Sequence, residues 1–422
     1  MQQTIAICGA GIAGLATGYF LSTLLPDSKI VLIDKHQPMS FTSSKSGENF
    51  RDYWPHPSME ALSSHSIALM TELREHFGDD AFDMHFSGYH FVSHQTNKPI
   101  FADDTTADFR QKNDVLLDPK AIQAKHPYLD DGISKSVFIK NAGNLDAYAL
   151  GSLLLRVARQ RNLHFQQTAI NKIQRHASGY TIHCTADGEQ QTISCDQVVL
   201  ATGPFLPVMA QQLDIELPAW NTCQAKFIIP DPNGVIPPNM PFTIYADGQT
   251  LQWTKEEQAF LEDNDAMRWM TAPLPGGIHI KPEAGGKIKM GWAFSSKKVI
   301  PHWQPTSPDH FPQIVLKGAS RFIPGLSAYA HQVPTPVISY AGYYTRTQEN
   351  WPLIGASHDD NVFIVGALAG FGTMTACAAG ELCARHIAGE SLPWYAPYFH
   401  PLRYEDEVIL AEMDKLQLDG QL

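Results

Sequence analysis

The sequence predicts an α/β protein, α+β overall, in which a doubly wound parallel-sheet unit is joined to a second, mainly antiparallel β-sheet unit. Three observations predict it. A strand, a glycine turn and a helix pattern open the chain, and compact apolar strands recur at 197–204 and 361–365. Between about 216 and 335, prolines, tryptophans and β-like runs replace long helical patterns.

The opening element is the most explicit. Thr4-Ile5-Ala6-Ile7-Cys8 is a short strand pattern running into Gly9-Ala10-Gly11-Ile12-Ala13-Gly14 and then an alanine- and leucine-rich helix pattern. The first glycine permits the tight turn, the second lets a pyrophosphate approach the backbone, and the third lets helix and strand pack closely. Phosphates sit well at the helix N-terminus, where unpaired N–H groups and the helix dipole favour negative charge. Pro26 closes the helix, and Lys29 to Ile33 form a second strand ending at Asp34, with Lys35 beside it. An acid at that distance accepts hydrogen bonds from an adenosine ribose, so the context is that of a Rossmann-type dinucleotide site.

Composition narrows the class. The 422 residues, 44% hydrophobic, suffice for two or three domains. A net charge of -12 argues against nucleic acid and does not favour an anionic membrane surface. Six scattered cysteines without a Cys-x-x-Cys pair fit a reducing compartment, and no basic leader precedes the first strand, so a cytoplasmic location is expected. Residues 361–380 carry no charge, yet a strand, a turn with Gly366, Gly370 and Gly372, and a helix explain them better than a membrane span.

In order along the chain, residues 40–51 are small and polar with two cations, Lys45 and Arg51: a surface loop, or a loop passing under a redox ring. Residues 58–77 have helical periodicity, Asp146 is placed to cap a helix from about 147 to 161, and 168–173 and 180–184 read as paired strands. Gln197 to Pro204 reads as a buried parallel strand ending in a small-residue turn at Ala201 and Gly203. The expected division puts 1–80, 141–215 and 336–422 in the first unit and 81–140 and 216–335 in the second. Residues 405–422 have helical periodicity.

Together these motifs resemble, in order and over nearly the whole chain, the D-amino-acid oxidase superfamily, in the branch of sarcosine oxidases, glycine oxidase and D-arginine-type dehydrogenases. The resemblance implies FAD as cofactor. Gly9, Gly11 and Gly14 would then contact the pyrophosphate, Asp34 the ribose and Ile170 the adenine. Ser44 and Lys45 would lie in the loop under the flavin. Gly370-Phe371-Gly372-Thr373-Met374 would lie under its pyrimidine end, where a helix N-terminus stabilises negative charge. Lys289, in Gly286-Lys287-Ile288-Lys289-Met290-Gly291-Trp292, matches a lysine that sarcosine oxidases use in the reaction with oxygen, where a buried cation stabilises superoxide-like charge. The alternative is that it shares a solvated strand face with Lys287.

Departures from the family matter too. Gly342 stands where sarcosine oxidases carry a cysteine linked to FAD, which implies a non-covalent cofactor. Tyr344 and Trp54 stand where relatives place carboxylate-binding arginines. Arg346 and Arg51 remain as candidate carboxylate clamps or structural ion pairs, since arginine offers a carboxylate two parallel donors. Trp54, Tyr344 and His279 either line the pocket or pack. The expected reaction is oxidation of an amine or amino acid to an imine, by hydride loss to the flavin, with oxygen or another acceptor. A 2-hydroxy-acid dehydrogenase with His279 as base, and a non-redox FAD-scaffolded protein, are the alternatives. No metal-ligand cluster, phosphate loop or nucleophile elbow is present in the sequence.

Overall fold

The computed structural model describes residues 2–413. Its six-stranded sheet runs in the order Leu353–Ala356, Val362–Gly366, Gln197–Leu200, Thr4–Cys8, Lys29–Asp34, Leu163–Gln167. All neighbours pair in parallel except Leu353–Ala356, which is antiparallel to Val362–Gly366. The central strand shows why its residues are almost all apolar. Ile5 and Ile7 point to one core, beneath the helices Ile12–Leu24, Pro57–Phe77, Ala147–Gln160 and Gly372–Ala388, while Ala6 and Cys8 point to another. That second core lies under the antiparallel sheet Ala169–His176, Gly179–Ala186 and Glu189–Cys195. A strand covered on both faces cannot alternate with polar residues. Asp146 accepts the Ala149 N–H at 2.8 Å and caps Ala147–Gln160, as its position predicts.

The second sheet has eight strands, ordered Ile338–Arg346, Trp220–Pro230, Lys287–Trp292, Ile278–Glu283, Phe242–Tyr245, Tyr89–Ser93, Lys135–Ile139, Asp114–Leu116. It is antiparallel except for one parallel pair, Phe242–Tyr245 with Tyr89–Ser93. One face packs on the helix Phe311–Ala319 through Phe227, Ile229, Ile288, Met290 and Trp292, all buried; each fully buried apolar side chain contributes about 1.5–3 kcal/mol. The division drawn at residue 336 puts Ile338–Arg346 with the parallel unit. Its hydrogen bonds instead run to Trp220–Pro230, from Trp220↔Arg346 to Ile228↔Ile338, because its alternating residues complete the face of the large sheet.

The uncharged 361–380 segment is strand Val362–Gly366, a turn and the start of helix Gly372–Ala388, and among the described residues no helix is long and apolar enough to cross a membrane. Of the periodic C-terminal run, Glu407–Met413 is helical, and 414–422 lie outside the described residues.

Candidate active site

A cleft runs between the two sheets as three adjoining cavities of about 410, 120 and 540 Å³. The first two share Gly11, Thr42, Ser43, Ala201 and Gly203 as walls, and the second and third share Ser46, Lys226, Tyr344, Gly370 and Thr373. The narrow end is shaped by backbone. Gly9 holds φ +109°, and a Cβ there would come within 2.4 Å of the Ala201 carbonyl oxygen. Asp34 accepts the Ala10 N–H at 2.8 Å and the His36 N–H at 2.9 Å; burial raises its carboxyl pKa, and those two N–H groups oppose the rise. Lys35, Ile170, Ala201 and Gly203 line this end with it.

The residues fit a dinucleotide. The buried hydroxyls of Thr42 and Thr202 face this end without a protein partner among the described residues, and the N-terminus of helix Ile12–Leu24 opens on it. Two of the residues expected here have other work. Gly14 lines none of the three cavities; a Cβ on it would come within 2.0 Å of the Gly9 carbonyl oxygen, so its absence lets helix and strand close up. Ser44 donates to the Phe41 and Ser40 carbonyls. Its neighbour Ser43 faces the cleft and accepts the Ile12 N–H at 3.0 Å; of the 3₁₀ turn Thr42–Lys45, Ser44 is the residue that lines none of the three cavities.

At the wide end the floor is the polar face of the large sheet. Cross-strand partners share a face, so Arg346, Tyr344, Gly342 and Tyr340 on one strand stand opposite Trp220, Thr222, Gln224 and Lys226 on the next. Gly291 follows opposite Lys226, and His279 stands opposite Gly291. Gly291 makes room: a Cβ would meet His279 Nε2 at 2.4 Å and Lys226 Cγ at 3.1 Å. Phe242, Ile244 and Tyr89 extend the floor. Ser46 to Arg51, Trp54 and Phe371 to Met374 of the other unit form the roof, and the Ser46 and Thr373 hydroxyls bond at 2.7 Å.

Five of the six candidate substrate-side residues meet on these walls: Arg51, Trp54, His279, Tyr344 and Arg346. The buried Arg51 guanidinium lies 4.6 Å from the Trp54 ring, and burial pulls its pKa down to about 10. Trp54 packs edge-on to Phe371, and its indole N–H, like Nε of Arg346, has no protein partner among the described residues. His279 places its Nδ1 3.0 Å from the Gly277 carbonyl, so that nitrogen carries the proton. Burial and the nearby Lys226 cation push its pKa down to about 3, and the ring is neutral. Tyr344 is pushed up to about 12 by burial, next to Gly370, where a Cβ would come within 2.4 Å of its ring. The flavin-side glycines and Thr373 and Met374 line the cleft where expected, and Lys45 lines its middle cavity.

Lys289 is the exception. Its ammonium lies 2.7 Å from Glu283 and 3.3 Å from Glu48 and lines none of the three cavities. Burial would lower its pKa, but Tyr340 and the two carboxylates reverse this and raise it. The cation on the cleft is Lys226, one strand over, whose Nζ bonds the Lys45 carbonyl at 3.3 Å and lies 6.0 Å from the Tyr344 ring centroid. Burial and the neighbouring Lys289 and Lys281 pull it down to about 8. Alternation in Thr222-Cys223-Gln224-Ala225-Lys226-Phe227 marks Lys226 as a residue of the polar face; that signal is in the sequence and is easily passed over.

Residues 4–386 match the family model of the FAD dependent oxidoreductase family DAO. Among solved structures, L-proline dehydrogenase from P. horikoshii is similar at 18% identity and TM-score 0.73, over 96% of this chain and 98% of that one. Glycine oxidase from Geobacillus kaustophilus is similar at 16% identity and TM-score 0.70, over 92% and 96%. Iminodiacetate oxidase from Chelativorans sp. BNC1 is similar at 15% identity and TM-score 0.69, over 94% and 98%. No curated protein sequence matches the chain.

Proposed function

The chain belongs to the DAO family of FAD dependent oxidoreductases, and on that premise we propose that it oxidises the carbon–nitrogen bond of a carboxylate-bearing amine, an amino acid, with FAD held non-covalently and oxygen as the electron acceptor. When bound, FAD supplies the hydride-accepting ring. The observation that carries the proposal is the pair of unpartnered donors, Arg346 Nε and Trp54 Nε1, on the walls of the wide cavity that also contains Gly370 and Thr373.

Arg346 holds the carboxylate, and Arg51 adds positive charge on the far wall. Lys226, Arg51 and Arg346 together favour the neutral form of a substrate amine, the form able to lose a hydride from its α-carbon. Tyr344 and Trp54 hold the carbon skeleton and exclude water. In the second half of the cycle the negative charge passing to oxygen develops beside Lys226, and we assign to it the cationic role that the sequence suggests for Lys289.

The 2-hydroxy-acid reading needs a base, and His279 is a poor one: burial and Lys226 oppose the protonation that proton abstraction requires. Six unpaired cysteines, five of them buried, support a reducing cytoplasmic location. The test is anaerobic bleaching of the visible flavin band by amines, N-methyl and D- or L-amino acids, and 2-hydroxy acids. Bleaching by an amino acid supports the proposal; bleaching by hydroxy acids alone overturns it.

A further inference from the structure

Between the strand Lys287–Trp292 and the helix Phe311–Ala319, the large sheet sends a strap of chain across the cleft to the other unit. Three bonds fix it. Gln224 donates to the Ser295 carbonyl at 2.7 Å, the Val299 N–H donates to the Asn221 carbonyl at 2.9 Å, and the His302 N–H donates to the Tyr343 hydroxyl at 3.0 Å. All three anchors stand on the paired strands Trp220–Pro230 and Ile338–Arg346. Just beyond the last anchor, Trp303 is laid over the narrow end of the cleft.

Its ring centroid is 4.5 Å from Phe205, 4.8 Å from Phe41 and 4.7 Å from His36, and the Lys35 ammonium lies 5.4 Å from it. Every one of those partners flanks the Gly9 turn, Asp34 or the Ala201–Gly203 turn. Yet 39% of Trp303 is exposed, and the indole lines the 410 Å³ cavity that Gly9, Asp34 and Ile170 also line. A large aromatic held by three backbone anchors and an aromatic cluster, with a face left open on a ligand cavity, is a preformed stacking platform.

We propose that Trp303, delivered by the substrate-side sheet, clamps the adenosine half of the dinucleotide and makes the site select an adenosine-bearing flavin over a mononucleotide. The clamp acts on the half of the cofactor remote from the chemistry, so it governs retention and selection and does not touch the reacting atoms.

The experiment strips the full chain of flavin and titrates it with FAD and with FMN, following flavin fluorescence. Trp303→Ala is expected to weaken FAD about 10- to 100-fold, the range for loss of one aromatic stacking partner, and to leave FMN within about twofold. Trp303→Phe restores most of the FAD affinity. Tyr343→Phe, which frees one strap anchor, weakens FAD less than Trp303→Ala and again spares FMN. Unchanged FAD affinity in Trp303→Ala, or equal weakening of FAD and FMN, overturns the proposal. The thermal transition of Trp303→Ala should stay close to that of the parent, because so much of the indole is exposed.

Discussion

The two ends of the cleft are built on different principles. The narrow end is shaped largely by backbone from short local runs, the turn at 9–14 and that at 201–203, with the Asp34 carboxylate, the hydroxyls of Thr42, Ser43 and Thr202 and the Trp303 ring added. The wide end is made of side chains gathered from segments between Ser46 and Met374, each aimed by strand register or by the start of a helix. A backbone site is written in consecutive residues and tolerates almost no added atom. A side-chain site depends on which residues face each other across strands, and a shift of one position reassigns a role.

The difference can be tested from its largest consequence downward. At the narrow end Gly14→Val should abolish flavin incorporation, because even a Cβ meets the Gly9 carbonyl at 2.0 Å; a purified variant with its full visible absorbance would refute the backbone account. At the wide end Arg346→Met should leave flavin content intact and lower kcat/KM on a carboxylate substrate by roughly 100-fold. A drop below about threefold would remove Arg346 as the clamp.

The two lysines sharpen the contrast further. Lys226→Met should slow reoxidation by oxygen about tenfold. A lysine carries charge below its pKa, so parent reoxidation should be fast below pH about 8 and fall above it, and the variant should lose that step. Lys289→Met should leave reoxidation unchanged and destabilise the fold by roughly 1–3 kcal/mol, since it removes the cation that Glu48 and Glu283 share and leaves Glu283 only Lys281, at 3.5 Å, among the described residues. Slowed reoxidation in Lys289→Met with a normal Lys226→Met would return the role to Lys289. The smallest effect separates two adjacent serines: Ser43→Ala, which loses a bond worth about 1 kcal/mol, should weaken flavin severalfold, and Ser44→Ala should not change it.

These comparisons mark where sequence reading stops. Period-2 and period-3.6 patterns located the strand at Thr4–Cys8, the helix at Pro57–Phe77 and the Asp146 cap to within a residue or so, because each depends on neighbours in the chain. Which of Ser43 and Ser44 faces the cleft is set by the rotation of a 3₁₀ turn, which no local pattern reports. Lys226 and Lys289 share the polar face on neighbouring strands, and of the two Lys226 lines the cleft.

By itself the sequence determined the glycine turn and its acid, the parallel core strands and the presence of a second, proline- and tryptophan-rich sheet, since backbone conformation and burial periodicity are local properties. Tertiary structure alone decided that Lys226 and not Lys289 faces the cleft, that Gly291 opens the floor between Lys226 and His279, and that Trp303 reaches the far end of the other unit. The first two rest on the order and register of strands distant in sequence, fixed by the burial of one whole sheet face, and the third on the bonds that tie the strap to those strands.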